Sequence, residues 1–291
     1  MNAGVQTETA TISSALRDAA TRLTAARIVS AGLDAEILLA FALGIERGRV
    51  YMNGDRALVG AALARFRALV SRRADGEPVS YIIGRREFWS LDFIVTPAVL
   101  TPRPETELLV EAALKLVAAN SSPRILELGT GSGAIAVALA KEIPGAQIVA
   151  TDISTDALKV ARENARRHGV ENRISFVAGD LFDAVAQMTF DAIASNPPYI
   201  RDADIAALPR DVRGFEPLIS LDGGADGMDF YRRIAREAPR YLNARGFIAV
   251  EIGACMGANV ARLFAAAGFA DVRVEKDLAG LERVVSARAA L

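Results

Sequence analysis

Four consecutive residues, Asn196-Pro197-Pro198-Tyr199, combine backbone and side-chain groups that suit the binding of a planar NH2 group. They follow the apolar run 190–194, which predicts a buried strand, so they lie at a strand end. Proline lacks a backbone N–H and fixes φ, so the two prolines predict a stiff loop with free carbonyls. Asn196 precedes a proline, which favours an extended backbone and an outward side chain. The predicted catalytic groups are the Asn196 oxygen, the Pro197 carbonyl and the Tyr199 ring, although Asn-Pro alone also occurs in ordinary strand-ending turns.

A second chemical signal is a turn with three glycines at alternating positions, Gly129, Gly131 and Gly133. The turn follows the predicted strand 125–128 and precedes a predicted helix. Glycines at these positions let the backbone approach a ligand closely, which favours a nucleotide-like ligand. Gly129, Gly131 and Ala134 also fit the dinucleotide pattern G-x-G-x-x-G/A, so an NAD oxidoreductase is an alternative.

Two aspartates follow the next two predicted strands. Asp152 would accept hydrogen bonds from a ribose diol, or it could cap the following helix, a role that Ser154 could fill equally well. Asp180 would accept a hydrogen bond from an adenine amino group, with Leu181 against the ring. Because the carboxyl ends of parallel strands meet at one edge of a sheet, we expect these residues, the glycine turn and Asn196 to lie together.

The elements that position these residues alternate between strand and helix from residue 124 onward. Predicted strands lie at 125–128, 147–151, 174–178, 190–194, 247–252, 272–275 and 283–287. Predicted helices lie at 134–141, 156–167, 227–242 and 260–267. This alternation is typical of an α/β fold with a parallel sheet that is covered by helices on both faces.

The N-terminal part of the chain has a different pattern. Helical spacing of apolar residues predicts a small helical bundle as the first domain, residues 1–75. Residues 76–106 are predicted to form a linker with a β-hairpin, whose strands cover 79–83 and 88–95 around a turn at 84–86. The catalytic domain is expected to cover 107–291. Arg65, Arg67, Arg72 and Arg73 are expected to lie on a solvated helix face.

Composition limits the classes of function. The chain has 291 residues with 34 Lys and Arg against 35 Asp and Glu, and this net charge of −1 gives no overall attraction to nucleic acid or anionic membranes. Its one cysteine, Cys255, excludes an internal disulfide and disfavours a cysteine metal site. Residues 1–14 lack the features of a signal peptide, and no apolar run is long enough to span a bilayer. We therefore expect a cytoplasmic protein without a metal site, with its one histidine, His168, at a helix end.

The glycine turn, the two aspartates and Asn-Pro-Pro-Tyr together resemble class I S-adenosylmethionine-dependent methyltransferases that methylate planar nitrogens. Four segments extend the resemblance to the release-factor glutamine methyltransferases of the HemK type. These segments are 102–107 (PRPETE), 196–200 (NPPYI), 215–217 (FEP) and 223–231 (GGADGMDFY). A small helical domain ahead of a β-hairpin is a further similarity, so the resemblance covers nearly the whole chain.

The resemblance implies a Rossmann-like, seven-stranded methyltransferase sheet with an N-terminal helical bundle that docks the substrate. It implies transfer of a methyl group from S-adenosyl-L-methionine to the glutamine of the Gly-Gly-Gln motif in class I peptide-chain release factors. The oligomeric state does not follow from the sequence, and a monomer is the default expectation. The expected substrate-binding residues are Asn196, Pro197, Pro198 and Tyr199. With Asp180 and Leu181 from the strand-end argument, the expected cofactor-binding residues are Gly129, Thr130, Gly131, Ser132, Gly133, Asp152, Asp180, Leu181 and Asn196.

Three other functions are alternatives. Adenine and guanine amino groups present the same planar NH2, so a nucleic-acid amino methyltransferase is the nearest one; such enzymes usually need a basic, aromatic surface. The balanced charge and the 6% aromatic content argue against it. An NAD oxidoreductase would leave Asn-Pro-Pro-Tyr unexplained, and a non-catalytic binding protein would be favoured by a degraded glycine turn, which this chain does not have.

Overall fold

The computed structural model describes residues 9–290, which form two compact units. The first unit runs to Gly84 and includes Pro209–Phe215, and the second comprises Arg85–Leu208 and the chain from Glu216 onward. The first eight residues of the polar segment 1–14 lie outside the described residues, and so does Leu291.

The first unit is mainly helical, which confirms the predicted bundle. Its elements are β1 (Thr9–Thr11), α1 (Ile12–Ala25), α2 (Ala31–Leu43), α3 (Arg47–Met52), β2 (Ala57–Val59), α4 (Gly60–Ala74), α5 (Val79–Ile83) and α10 (Arg210–Arg213). Leu23 of α1, Leu38 of α2 and Phe66 of α4 are almost fully buried and form one apolar core. The short strands β1 and β2 pair antiparallel, a feature that the helical pattern did not predict.

The predicted solvated face of arginines is wrong for Arg73, which is buried at the end of α4. Its Nε donates to Asp34 Oδ2 over 2.7 Å, and its Nη2 donates to Asp211 Oδ2 over 3.2 Å. Arg72 is half exposed and pairs with Glu77, and the Arg65 guanidinium lies over the Phe41 ring. Both aspartates that pair with Arg73 belong to the same helical unit. A buried charge requires oppositely charged partners of this kind.

The predicted strand at 79–83 is also wrong, since these residues form the short helix α5. Pro78 precedes the helix, and its carbonyl accepts hydrogen bonds from the N–H groups of Tyr81 and Ile82. Gly84 ends the helix in the left-handed conformation, with φ of 73°, instead of starting a hairpin turn. A five-residue apolar run has too little length to distinguish a strand from a buried helix.

A β-hairpin does follow, with its turn at a different place from the prediction. Strands β3 (Arg85–Phe88) and β4 (Leu91–Ile94) pair antiparallel around Trp89 and Ser90, which both have positive φ. This two-residue turn has the twist that hairpins favour, but it usually contains Asn or Gly. The Trp89 N–H donates to Glu107 Oε1 over 2.8 Å, and its indole donates to Glu142 Oε1. These bonds hold a turn that its own residues do not predict.

The rest of the second unit alternates between strands and helices. Its strands are β5 (Arg124–Leu128), β6 (Gln147–Asp152), β7 (Ile174–Ala178), β8 (Phe190–Ser195), β9 (Leu242–Glu251), β10 (Ala270–Lys276) and β11 (Glu282–Arg288). Its helices are α6 (Glu107–Val117), α7 (Ala134–Glu142), α8 (Thr155–Arg167), α9 (Asp202–Ile205), α11 (Asp229–Glu237) and α12 (Gly257–Ala266). The predicted helix 227–242 is therefore shorter than expected. It gives way to a 3-10 turn at 238–240, which contains Pro239.

The seven strands of this unit form one sheet in the order β10-β11-β9-β8-β5-β6-β7. All the pairs from β9 to β7 are parallel, and β11 is antiparallel to both of its neighbours. The expected parallel sheet is therefore wrong for one strand. A short turn joins β10 to β11, and strands joined in this way must run in opposite directions. Asp277 stabilises the turn by accepting hydrogen bonds from the N–H groups of Ala279 and Leu281.

Two apolar layers cover the sheet, as predicted. Buried residues of α6, α7 and the hairpin form one core against the first face, and residues of α11 and α12 form the other. The chain passes from β5 outward through β6 and β7 and then returns to β8 on the other side of β5. The strand order thus reverses between β5 and β8, and ligands of such sheets bind at the carboxyl ends of the strands at this point. Within residues 9–290, no helix is long and apolar enough to cross a membrane.

Candidate active site

A cavity of about 220 Å³ lies at the carboxyl ends of β5, β6, β7 and β8. One water needs roughly 10–15 Å³ on this measure, so the cavity is far larger than a packing defect. Its lining includes Gly129, Thr130, Gly131, Ser132, Asp152, Asp180, Leu181, Asn196, Pro197 and Pro198. Residues predicted from four separate strand ends thus come together in one cavity. Two residues of the prediction, Gly133 and Tyr199, do not line it.

The glycine turn presents bare backbone to this cavity. Gly129 and Gly131 have φ of 70° and 54°, a region that strongly favours glycine. A Cβ added at either residue would meet no atom within 4 Å, so it would project into open space that a ligand can use. The Thr130 N–H donates to the Thr151 carbonyl over 2.9 Å and ties the turn to β6.

A buried carboxylate lies beneath the turn. Glu127 Oε2 accepts hydrogen bonds from the Thr130 hydroxyl over 2.6 Å and from the Ala136 N–H over 3.1 Å. Burial raises the pKa of Glu127 to about 8, against the opposing effect of these two bonds. Its Oε1 is buried without a hydrogen-bond partner among the described residues. The sequence signal for this group is an acidic residue inside an otherwise apolar strand.

Gly133 serves packing instead of ligand contact. It precedes α7 with φ of 79°, and a Cβ there would lie 3.0 Å from Ala161 Cβ and 3.2 Å from Ala161 Cα. The close approach of α7 and α8 therefore accounts for the third glycine, as in the dinucleotide pattern, where the third glycine also serves close packing.

Asp152 contacts the glycine turn directly. Its Oδ2 accepts the Gly131 N–H over 2.8 Å, and its Oδ1 accepts the Ser154 N–H over 2.9 Å. Ser154, and not Asp152, caps α8, because the Ser154 hydroxyl accepts the Ala157 N–H over 3.1 Å. Burial raises the pKa of Asp152, and the two backbone N–H groups oppose this shift.

Asp180 has a partner that the sequence prediction missed. Arg233 of α11 donates to Asp180 Oδ2 over 2.8 Å, and both residues line the cavity. Phe230, one turn earlier on α11, lines it too. Leu181 is buried at the same wall with φ of 52°. The wall at the end of β7 is therefore shared with α11, and only the aspartate and the leucine followed from the strand pattern.

The amide of Asn196 is held by a residue from a distant part of the chain. Asn196 Nδ2 donates to Thr106 Oγ1 over 3.3 Å, and both residues line the cavity. The preceding residue, Ser195, is fully buried and donates from its hydroxyl to the Leu128 carbonyl over 2.9 Å. This bond fixes the end of β8 beside the end of β5, so the Asn-Pro-Pro-Tyr segment starts next to the glycine turn.

Tyr199 packs behind the cavity. Its ring lies close to Gly253, whose added Cβ would be 3.3 Å from Tyr199 Cδ2. Burial raises the pKa of the Tyr199 hydroxyl to about 12, so the phenol is neutral at physiological pH. Glycines of the segment 223–231 pack on its backbone: a Cβ on Gly227 would lie 2.4 Å from the Tyr199 carbonyl oxygen. The segment 223–231 therefore supports the Asn-Pro-Pro-Tyr loop from outside.

The segment 102–107 links three parts of the second unit. Arg103 forms an ion pair with Glu216 of the segment 215–217, Thr106 contacts Asn196, and Glu107 accepts the N–H at the hairpin turn. The side chain of Glu216 is almost completely buried in this pair. The motif segments that lie far apart in sequence are therefore neighbours around the cavity, and their contacts account for the residue types.

His168 and Cys255 lie outside this arrangement. His168 ends α8, as predicted, with its Nε2 3.1 Å from the Asp92 carbonyl oxygen. Cys255 is exposed and unpaired. Across residues 9–290, no group of three or more His, Cys, Asp or Glu side chains has a metal-binding arrangement.

Known methyltransferases share the fold of this chain. A methyltransferase from Pyrococcus furiosus superposes with a TM-score of 0.50 and 19% identity over 69% of this chain and 90% of its own. The hMettl16 catalytic domain in complex with MAT2A 3′UTR hairpin 1 gives a TM-score of 0.57 and 16% identity over 75% and 80%. Residues 104–208 match the family described as methyltransferase small domain. The fold and the family match together define the class of the protein as a methyltransferase.

Residues 14–84 match the family described as PrmC N-terminal domain. Release factor glutamine methyltransferases from Geobacter sulfurreducens and Cereibacter sphaeroides are 46% and 48% identical to the chain. The matches cover 90% of both chains in the first case, and 94% of this chain and 97% of the relative in the second. The chain belongs to the release factor glutamine methyltransferase family.

Proposed function

We propose that the protein transfers the methyl group of S-adenosyl-L-methionine to the N5 side-chain nitrogen of the glutamine in the Gly-Gly-Gln motif of class I peptide-chain release factors. The product would be S-adenosyl-L-homocysteine. The observation that carries the proposal is the shared cavity, in which Asn196 lies beside the glycine turn with its Nδ2 turned to Thr106. The two relatives reported above, which bear this activity in their names, match 90% and 94% of the chain, which supports the same substrate.

The residues of the cavity suit the proposed cofactor. Gly129 and Gly131 leave space where any side chain would project, and Asp152 beside them offers carboxylate oxygens to a ribose diol. Asp180 and Leu181 form the wall where we place the adenine. When bound, S-adenosylmethionine supplies an electrophilic methyl group on a positively charged sulfur. Asn196 and Pro197 at the end of β8 would then contact the incoming glutamine beside the cofactor.

Replacing Asp152 with alanine is expected to raise the Kd for S-adenosylmethionine about tenfold, because one charge-assisted hydrogen bond is worth roughly 1.5 kcal/mol. The same change leaves the Gly131 and Ser154 N–H groups without their acceptor. Calorimetric titration of the variant measures the effect. The control is Asp156→Ala in the exposed first turn of α8. Asp156 pairs with the exposed Lys159, and its variant should bind the cofactor like the unchanged protein. Equal Kd values for the Asp152 variant and this control would contradict the ribose assignment.

The chemistry that these residues must perform is the activation of a poor nucleophile. An amide nitrogen shares its lone pair with the adjacent carbonyl, so it gains charge only as the new bond forms. Asn196 Oδ1 and the Pro197 carbonyl would each accept one N–H of the substrate amide and hold the nitrogen in line with the methyl group. Both acceptors also face the developing positive charge. Pro197 and Pro198 have no backbone N–H, so neither residue can donate to these acceptors in competition with the substrate.

No strong base is needed before the attack, because the substrate proton leaves after the new bond has formed. The Tyr199 hydroxyl, whose pKa is raised to about 12 by burial, remains a neutral donor and does not serve as a base at neutral pH. Its proposed catalytic role is therefore to support the loop that carries the acceptors, together with the neighbouring segment 223–231.

We further propose the organisation of the protein as a whole. The predicted boundary at residue 75 moves to Gly84, because α5 belongs to the helical unit; the proposed parts are a substrate-docking helical domain up to Gly84, a hairpin linker up to residue 106 and a catalytic domain at 107–291. The match of residues 14–84 to the PrmC N-terminal domain supports the separate first domain. We propose that the protein acts as a monomer in the cytoplasm, where peptide-chain release factors work, without binding nucleic acid directly.

The proposal is tested with S-adenosylmethionine that carries a radiolabelled methyl group. The protein is incubated with a class I release factor, with the same factor in which the Gly-Gly-Gln glutamine is replaced by alanine, and with bulk RNA and DNA. We expect label in the first sample alone. Label in both forms of the release factor would contradict the assigned residue. Label in nucleic acid but not in the release factor would favour an adenine or guanine amino methyltransferase.

A further inference from the structure

A buried carboxylate lies directly beside Asn196 but does not line the cavity. Glu251 is the last residue of β9, and the parallel pairing of Ser195 with Val250 places it next to Asn196 across the sheet. The residue is only 3% exposed. Its backbone carbonyl accepts the Tyr231 hydroxyl over 2.8 Å, which fixes the end of the strand. Strand packing alone does not explain a charged group at such a position.

The side chain of Glu251 lies near Thr106 and Asn196, and both of these residues affect its pKa. Asn196 Nδ2 donates to Thr106 Oγ1 over 3.3 Å, and Oε2 of the neighbouring Glu251 is buried without a hydrogen-bond partner among the described residues. An ionised carboxylate can only accept hydrogen bonds, so it selects the NH2 end of the amide. Asn196 Oδ1 is then the amide atom that is left to accept a hydrogen bond from a ligand in the cavity.

We infer that Glu251 is a positioning residue that, when ionised, fixes the Asn196 amide with its oxygen toward the nitrogen that accepts the methyl group. The inference rests on the proposed function, and it identifies what sets the orientation of the proposed acceptor. Protonated Glu251 carries an O–H donor. It could then donate to Asn196 Oδ1 and allow the opposite orientation of the amide, in which two donors face the substrate NH2.

The surroundings of Glu251 place its ionisation close to neutral pH. Burial raises the pKa of Glu251 to about 7, with Glu105 acting in the same direction. The polar groups of Thr106 and Asn196 and the positive charge of Arg283 lower this pKa. The Tyr199 and Tyr231 hydroxyls nearby are neutral, because burial raises their pKa values as well. The acceptor geometry is therefore complete above about pH 7 and is lost as the pH falls through this value.

A pH profile of methyl transfer tests the inference. In the unchanged protein, we expect kcat to rise about tenfold between about pH 6 and pH 8, following the ionised fraction of Glu251. Glu251→Gln should be about tenfold slower at the upper end of this range, with no inflection, because a neutral amide selects the orientation weakly. An inflection that persists unchanged in Glu251→Gln would overturn the inference.

Glu105→Gln provides a further test, because it should shift the pH inflection only if the ionisation of Glu251 controls the rate. Glu105 is exposed and raises the pKa of Glu251 by its negative charge. Removing this charge should shift the inflection to lower pH while the plateau rate stays the same. Without such a shift, the inflection would belong to another group and Glu251 would lose the assigned role.

A second readout does not depend on turnover. In 15N-labelled protein, the side-chain amide signals of Asn196, identified by their loss in Asn196→Ala, should titrate with the inflection of Glu251 and remain constant in Glu251→Gln. Asn196 side-chain signals whose chemical shifts do not change with pH in the unchanged protein would overturn the inference, even if the release factor is methylated. Conversely, a titration seen in a protein that methylates no release factor would support the positioning role while the proposed function fails.

Discussion

Replacing Asn196 with alanine is expected to lower kcat about 1000-fold, an effect like that of removing one preorganised polar group from an active site. The change removes the proposed acceptor of one substrate N–H and the amide that donates a hydrogen bond to the Thr106 hydroxyl. Because the glycine turn and Asp152 are untouched, the Kd for S-adenosylmethionine should change less than threefold, about 0.65 kcal/mol. Single-turnover kinetics with a release factor, together with calorimetry, separate the two quantities.

Asn196→Asp is the matched variant for this prediction, because it keeps the size of the side chain and its oxygen. A carboxylate there would face the carboxylate of Glu251, and the loss of Nδ2 would remove the bond to Thr106. We expect its kcat to be reduced too, but with partial recovery at low pH, where a proton can be shared between the two acids. Turnover of Asn196→Ala at the rate of the unchanged protein would exclude Asn196 as the group that holds the amide.

Gly223→Ala is expected to lower kcat about 100-fold, although Gly223 does not line the cavity. A Cβ at this position would lie 2.7 Å from Tyr199 Cα and 2.9 Å from the Pro198 carbonyl oxygen. Both are backbone atoms, so the loop would have to move by several tenths of an ångström. Displacements of this kind at reacting groups are costly because transfer requires alignment of nitrogen, methyl and sulfur.

The effect of Gly223→Ala should appear in kcat and not in cofactor affinity, because the displaced loop carries the substrate acceptors. Gly48→Ala is a control with the same chemical change, since a Cβ on Gly48 in α3 meets no atom within 4 Å. This variant should keep the full rate. A Gly223 variant as active as the Gly48 variant would show that the loop tolerates the shift, and the proposed support from the segment 223–231 would be lost.

Local sequence signals predicted much of the fold and the strand ends. The seven strands, the helices between them and the assembly of Gly131, Asp152 and Asn196 in one cavity followed from apolar runs and from the way parallel sheets align strand ends. The predicted strand at 79–83 failed because a short apolar run looks the same in a buried helix. The burial of Arg73 was missed because the pattern of arginines along one helix gives no information about distant partners such as Asp34 and Asp211.

The groups that surround Asn196 could not be predicted from its own neighbourhood. Thr106 lies 90 positions earlier in the chain and Glu251 belongs to another strand, so only the folded sheet brings them together. The Arg233 partner of Asp180 is also distant, 53 positions later in the chain. Motif resemblance did mark the segments 102–107 and 223–231, but it gave no physical reason for them. The contacts with Asn196 and with the Tyr199 backbone provide one.

The bond between Asp152 and the Gly131 N–H has a thermodynamic consequence for ligand binding. Glycine-rich turns lose much conformational entropy when they become ordered. Here the turn is held by bonds within the chain itself, from the Gly131 N–H to Asp152 and from the Thr130 N–H to the Thr151 carbonyl. The entropy of ordering is therefore lost during folding, and little of it remains to oppose association. The cofactor would meet a rigid receptor, whose affinity is set by contacts and by displaced water instead of by loop closure.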